Sequence, residues 1–353
     1  MKQAIKPLAP GYYCNPEVFK QEQTQIFGRH WWLIAASHEL DQPGDYVGRK
    51  VGNYPVFIIR DDNGELHGFH NTCRHRAGPM VTDGHGSCPG KLLVCQYHGW
   101  SYDFRGHLKN AHSLNSAINK ADYSLYPIRV ATWNGLVFAC ADSEATELIE
   151  WLGDIPQIAA RFPATDQLSP HGTIEKKGRT NWKCYADNSC EGYHVGLVHR
   201  SLGSTTNSDQ IELKTFSNGR FVGFDVTYSA SVEDPTRQGA GYWIYKYPGL
   251  LLHFSEFSFN AECVMPESAG EIALKRWFWI NRNQAQRRGV TADSLVQSAR
   301  TVIQEDLQIC ERVYENLAAE IYQPGVLSVA DEPGTIFFQS LVREDYRAGK
   351  IDK

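Results

Sequence analysis

Four residues stand out by type and spacing: Cys73 and His75 in one short segment, Cys95 and His98 in another, with nineteen residues between His75 and Cys95. Two thiolates and two imidazoles, one of each per segment, suit a [2Fe–2S] cluster whose cysteines hold one iron and whose histidines hold the other. Replacing two thiolates by neutral imidazoles raises the reduction potential above that of an all-thiolate cluster. Zinc is the rival, because two Cys and two His also make a zinc set, although zinc fingers group Cys with Cys and His with His. Each segment is expected at the tip of a β-hairpin, the two tips facing each other across the metal.

A second constellation lies in 181–199, where His194 and His199 are five residues apart. On a regular helix that spacing turns the second side chain about 140° from the first, so one metal can take both only if the helix ends or widens between them. Gly196 is the expected place. Glu191, three before His194, falls on the same helical face and is positioned to hydrogen-bond a ligand imidazole. An open iron site for oxygen chemistry uses two His and one carboxylate. Asp306 supplies the carboxylate: it interrupts the apolar stripe of Leu295, Ala299, Val302, Cys310, Val313, Leu317 and Ile321, and a buried carboxylate needs a cation or hydrogen-bonding partners. Glu305 and Glu311 point elsewhere on the helical wheel. The plainer readings are a partly buried polar His pair and an acid paired with an arginine or a helix end.

The elements that must carry these residues follow from pattern. Asn15-Pro16 with Glu17, Val18, Phe19, Glu22 and Ile26 reads as a capped helix stopping near Gly28. Residues 31–140 contain short β-rich runs, such as Tyr54 to Ile59 and Gly135 to Phe138, separated by turn signals such as Asp62-Asn63-Gly64. Beyond about 145 the pattern is mixed: short helices near 145–161 and 184–200, strands at 221–229, 241–263 and 271–281, and a long helix over about 291–321. The fold class is therefore α+β, an all-β domain over 31–145 and a second domain made of 1–30 with 146–353.

Composition narrows the function. The chain has 353 residues, 42% hydrophobic and 21% charged, which is the profile of a globular protein of two domains. A net charge of −5 and no basic run argue against nucleic acid. No apolar stretch is long enough to span a bilayer, and the N-terminal residues lack the apolar core of a signal peptide. Nine scattered cysteines form no disulfide framework, which points to a reducing, cytoplasmic setting. No G-x-G-x-x-G fingerprint is present, so any NAD(P)H is oxidised by another protein.

Several segments together resemble one family: Phe69 to Arg76, Cys95 to Tyr102, Asn181-Trp182-Lys183, Glu191 to His199, and Glu305-Asp306 with Cys310-Glu311. The chain resembles, over nearly its whole length, the large subunit of Rieske non-haem iron oxygenases. The resemblance implies a Rieske domain followed by a helix-grip catalytic domain, in which an antiparallel sheet and a long C-terminal helix enclose the pocket. It implies one [2Fe–2S] cluster and one Fe(II) per subunit, with O2 as co-substrate and NAD(P)H acting only through a separate flavin or iron–sulfur reductase, with or without a ferredoxin. It also implies a homotrimer in which Glu191 bridges the cluster of one subunit and the mononuclear iron of the next. Rieske proteins of respiratory complexes carry a further Cys on each cluster loop; those positions are Gly78 and Tyr97 here, so no capping disulfide can form.

Glu rather than Asp at 191, with the Glu-Asp-x-x-x-Cys-Glu run at 305–311, is similar to the branch acting on choline, glycine betaine and carnitine. A quaternary ammonium group calls for an aromatic cage, for which Trp182, Tyr193, Phe254, Phe257 and Phe259 are candidates, together with Tyr242 and Tyr245. Three functions stay open: a monooxygenase that hydroxylates or N-demethylates a small amine, a mono- or dioxygenase of aromatic rings, and a Rieske electron carrier with a docking module.

Overall fold

Runs of β-branched and aromatic residues, closed off by glycine and asparagine turns, account for most of the strands. The computed structural model describes residues 5–199, 212–228 and 239–349. The chain divides into two units, Phe27–Leu148 and Met1–Ile26 with Ile149–Lys353.

The unit Phe27–Leu148 is built on β1 (Trp32–Ala36), β2 (Asp45–Val51), β3 (Tyr54–Arg60), β4 (Leu66–His70), β5 (Gly84–Ser87), β6 (Leu93–Val94), β7 (Ser101–Tyr102), β8 (Leu108–Asn110), β9 (Pro127–Trp133) and β10 (Leu136–Cys140). Seven form one sheet in the order β1-β10-β9-β4-β3-β2-β5, and β6-β7-β8 form a second. The β3–β4 turn follows from its sequence. Asp61 Oδ1 accepts from the backbone N–H groups of Asn63 and Glu65, both at 2.9 Å, and Gly64 takes φ +84°. The Asp61 carboxylate is also bound by Arg105 Nε at 2.9 Å and His67 Nε2 at 3.1 Å. Phe57, Phe69, Leu93, Trp100 and Tyr102 join the core of this unit.

In the other unit a short helical turn at Gly11–Cys14 precedes α1 (Pro16–Glu22), which is capped by Asn15 as its sequence predicts. Its sheet runs β11 (Ser169–Gly178), β12 (Glu212–Phe216), β13 (Phe221–Tyr228), β14 (Gly239–Lys246), β15 (Leu250–Ser255), β16 (Ser258–Ser268) and β17 (Glu271–Ile280), in the spatial order β11-β17-β16-β15-β14-β13-β12. Every adjacent pair is antiparallel. The apolar stretch 241–263 is thus three strands, turned at Tyr247 to Gly249 and at Glu256-Phe257. The charged edge strand β11 buries Ile174 and Gly178 alone, so its sequence carries no strong alternation to read.

Helices α2 (Trp182–Ser189), α3 (Val195–Val198), α4 (Ala292–Ala318) and α5 (Pro333–Gly349) are the helices of this unit that bear on the site. The long helix is three residues shorter at its C-terminal end than the sequence suggests, and Val313 and Ile321 are exposed. Sequence reasoning does not find α5, because its Pro333-Gly334 start reads as a breaker, although proline suits the first turn of a helix.

A buried polar network ties the N-terminal segment to α2 and α5. Glu22 accepts from Lys183 Nζ at 2.6 Å, Trp182 Nε1 at 3.1 Å and the Tyr346 hydroxyl. Lys183 and Glu22 are both fully buried. One turn on, Asp187 accepts from Tyr13 OH at 2.6 Å and Gln339 Nε2 at 3.0 Å. Burial raises the Asp187 carboxyl to about 7 against the pull of those donors. These bonds hold α2, and with it the chain that leads to His194.

Candidate metal centres and active-site cavity

The two cluster loops close in the same way. In the first, Cys73 N–H donates to Gly78 C=O (2.8 Å) and Ala77 N–H to Cys73 C=O (3.0 Å); in the second, Cys95 N–H donates to Trp100 C=O (2.9 Å) and Gly99 N–H to Cys95 C=O (2.8 Å). The residue four after each cysteine takes positive φ, Gly99 at +70° and Ala77 at +54°. The loop 95–100 is a hairpin tip, since β6 and β7 pair. The loop after β4 is not: β4 pairs with β3 and β9 while β5 pairs with β2, which corrects the two-hairpin expectation.

The arrangement suits a cluster. Both thiols are 2% exposed, and a Cβ at Gly78 would sit 3.1 Å from Cys95 Sγ, so glycine there leaves space for the opposite loop's sulfur. The His75 and His98 rings are 4.6 Å apart, with His75 stacked on Trp100 at 4.9 Å. His75 Nδ1 is buried without a hydrogen-bond partner, a costly state for an imidazole nitrogen unless an absent ligand meets it.

In the other unit, His194, His199 and Asp306 offer ligand atoms within 4.8 Å of one another. Asp306 Oδ1 lies 3.0 Å from His199 Nε2 and 3.6 Å from His194 Nε2, so both imidazoles present the same nitrogen to one point. Both Nδ1 atoms are held by carboxylates: Glu191 Oε1 at 2.5 Å from His194 and Glu305 Oε2 at 2.8 Å from His199. A carboxylate behind a ligating histidine fixes its tautomer and raises its basicity. Asn188 Nδ2 donates to Asp306 Oδ1 at 2.7 Å.

Local structure differs from the helical expectation. Helix α2 ends at Ser189, and Glu191 sits in a turn where its Oε2 accepts from the N–H groups of Tyr193 and His194. Helix α3 runs through Gly196 and stops before His199, which takes φ −108°, ψ 78°. The break therefore falls at the second histidine rather than at the glycine, and it swings that ring back toward Asp306.

The electrostatics call for a cation. Burial works against charge on His194, but Asp306 and Glu191 outweigh it and raise its pKa to about 9. His199 is raised in the same way, against burial, by Asp306 and Glu305. Burial opposes charge on Asp306 too, yet the two histidines hold it well below the usual carboxylate range.

A cavity of about 230 Å³ opens on the triad. Helix α4 lines one wall with Leu295, Ala299, Val302 and Asp306 of the predicted stripe, joined by Ser298. The sheet lines the other with one cross-strand row in which Phe224 pairs with Trp243, Trp243 with His253, His253 with Asn260, and Asn260 with Phe278.

Of the predicted cage residues, Phe254 and Phe257 line the cavity. Trp182 does not, because its indole donates to Glu22 and packs against Phe338. Tyr193 is 68% exposed. Phe259 is buried between Phe254 and Trp279, and Tyr242 and Tyr245 lie outside the lining. Sequence reasoning missed Asn188, Glu305, Trp243, His253 and Asn260. A histidine in the apolar run Leu250 to Phe254 was the available signal for one of them; the helical-wheel expectation that Glu305 points away from the site is corrected, since its Oε2 meets His199 Nδ1, a partner that depends on where α3 stops.

The Rieske [2Fe-2S] domain model matches residues 30–130, and that of the ring-hydroxylating alpha subunit catalytic domain matches 165–348. Choline monooxygenase, chloroplastic, of Arabidopsis thaliana is 26% identical over 347 residues, covering 91% of this chain and 79% of its own. The carnitine monooxygenase oxygenase subunit of Acinetobacter pittii is 27% identical over 363 residues, with 95% and 94% covered. The solved structure of a quaternary ammonium Rieske monooxygenase shares the fold, with a TM-score of 0.86 at 23% identity over 97% of this chain and 96% of that one. The chain thus belongs to the ring-hydroxylating alpha subunits and is the terminal, oxygen-activating component of a Rieske non-haem iron oxygenase, a family that uses a Rieske cluster and Fe(II).

Proposed function

We propose that this oxygenase hydroxylates or oxidatively N-demethylates a small organic amine, with quaternary ammonium compounds as the first class. The observation that carries this reading is the aromatic lining, Phe224, Trp243, Phe254, Phe257 and Phe278, of a cavity that ends on the triad. Ring faces attract a desolvated cation. Burial, then the charge of Arg276, keeps His253 neutral, well below the usual imidazole range, so it does not repel one. The similarity to choline and carnitine monooxygenases over most of each chain supports the same class.

In this reading Cys73, Cys95, His75 and His98 hold the cluster, and the Nε2 atoms of His194 and His199 with the Asp306 carboxylate hold Fe(II). Bound there, the cluster supplies single electrons and the iron supplies the activation of O2. Glu191 and Glu305 hold the Nδ1 protons of the ligand histidines, and Asn188 fixes one carboxylate oxygen of Asp306. The rings position the substrate and exclude water. Glu191 is also the proposed bridge to the cluster of a neighbouring subunit in a homotrimer. Exposed Tyr193 and Leu197 beside it, and Leu92, Val94 and Tyr97 near His98, are apolar surface that such neighbours would cover. A separate NAD(P)H-oxidising reductase delivers the electrons. We also place the protein in the cytoplasm, on its odd, scattered set of nine cysteines; among the described residues no helix is long and apolar enough to cross a membrane.

The test is aerobic turnover of the iron- and cluster-loaded protein with a reductase against betaines, carnitine, choline and simple aromatic acids, with products read by mass spectrometry. Formaldehyde or another aldehyde released from an amine supports the proposal, and hydroxylated aromatics with the amines untouched overturn it. An Asp306→Ala protein with full activity would remove Asp306 from the ligand set.

A further inference from the structure

Within the aromatic row on the sheet wall, the third and fourth of the five positions, His253 and Asn260, are polar. His253 and Asn260 are direct partners across β15 and β16, and both line the cavity. Asn260 Oδ1 is buried and has no hydrogen-bond partner. Among the described residues no hydrogen bond reaches the His253 ring either; it stacks on Trp243 at 5.6 Å. The amide oxygen and nitrogen exchange places when the group turns over, so either can be presented to the cavity. Such a group is costly in an apolar wall, and a leucine would fit the strand pattern without that cost. Arg276, a polar neighbour in the cavity lining, is different, because its Nε is committed to Glu262 at 2.7 Å.

We propose that Asn260 and His253 form a hydrogen-bonding subsite that takes a hydroxyl or N–H group of the substrate while the surrounding rings take its apolar or cationic part. A neutral imidazole offers one donor and one acceptor, and the amide offers both kinds. A hydroxyl, itself donor and acceptor, can meet both partners at once. The subsite lies on the sheet wall, whereas the His194/His199/Asp306 triad is carried by the helical side, so a molecule anchored there presents its other end to the metal position. This deepens the amine reading and rests on it only for the choice of the first probes.

The experiment measures binding to the iron-loaded, dioxygen-free protein by calorimetry for two matched pairs: choline with propyltrimethylammonium, and benzyl alcohol with ethylbenzene. The wild type is expected to bind the hydroxyl member of at least one pair about ten- to a hundred-fold more tightly, and Asn260→Leu to bind both members alike. Melting of Asn260→Leu is expected at or above the wild-type temperature, because an unmatched polar group has been removed. A clear fall in melting temperature assigns Asn260 a structural role and overturns the proposal. So does a wild type with no hydroxyl preference, including one that binds no probe, or an Asn260→Leu protein that keeps the preference. Hydroxyl preference confined to the benzyl pair upholds the subsite and overturns the amine reading instead.

Discussion

Glu305→Gln isolates the contribution of a carboxylate that never faces the metal position. Glu305 Oε2 lies 2.8 Å from His199 Nδ1, the nitrogen opposite the one directed at Asp306. Glutamine keeps an acceptor for that N–H but removes the charge that makes the imidazole a stronger donor to a metal. Loss of such a partner costs about 10–100-fold in metal affinity, roughly 1.4–2.7 kcal/mol. The Glu305 side chain is 31% exposed and Glu191 is 12% exposed, so solvent screens Glu305 more. Glu305→Gln is therefore expected near tenfold and Glu191→Gln near a hundredfold. The assay is anaerobic competition for Fe(II) against a chromophoric chelator, with cluster absorbance as the control for an intact Rieske domain. Wild-type affinity in Glu305→Gln, or a larger loss there than in Glu191→Gln, would refute the reasoning.

Lys183→Met is expected to cost about 3–5 kcal/mol, because it leaves the Glu22 carboxylate buried without its cation; in urea unfolding, the double variant Lys183→Met/Glu22→Leu should recover only part of that loss, since Trp182 Nε1 and the Tyr346 hydroxyl then lose their acceptor. Asp61 titrates below the ordinary carboxylate range, since its backbone donors, Arg105 and His67 outweigh its burial. Its stabilising contribution is complete above the unfolded value of about 3.9 and is lost as pH falls further toward the depressed folded value. Melting curves between pH 5 and pH 2 (roughly the span of an acid titration) should be flatter for Asp61→Asn than for wild type. Ala77→Gly, at φ +54°, is expected to leave cluster absorbance unchanged and to stabilise by up to about 1 kcal/mol; a drop in cluster content would show that the alanine methyl has a packing role.

The sequence by itself determined the chemistry. Cys73-x-His75 and Cys95-x-x-His98 are local groupings whose residue types select a metal whatever the surrounding fold. The capped helix at Pro16 and the stripe that Asp306 interrupts are periodic signals that one helix carries alone. The stop of α3 at His199 and the Glu305 carboxylate behind that ring depend on elements far apart in the chain, and the His253–Asn260 pair depends on the register of two neighbouring strands. Only tertiary structure decided them. Strand alternation tells which residues share a face, but sheet register decides which neighbours they meet and which face borders the cavity. Register likewise put Trp243 in the cavity wall, while the packing of α2 against the N-terminal segment took Trp182 to the Glu22 network.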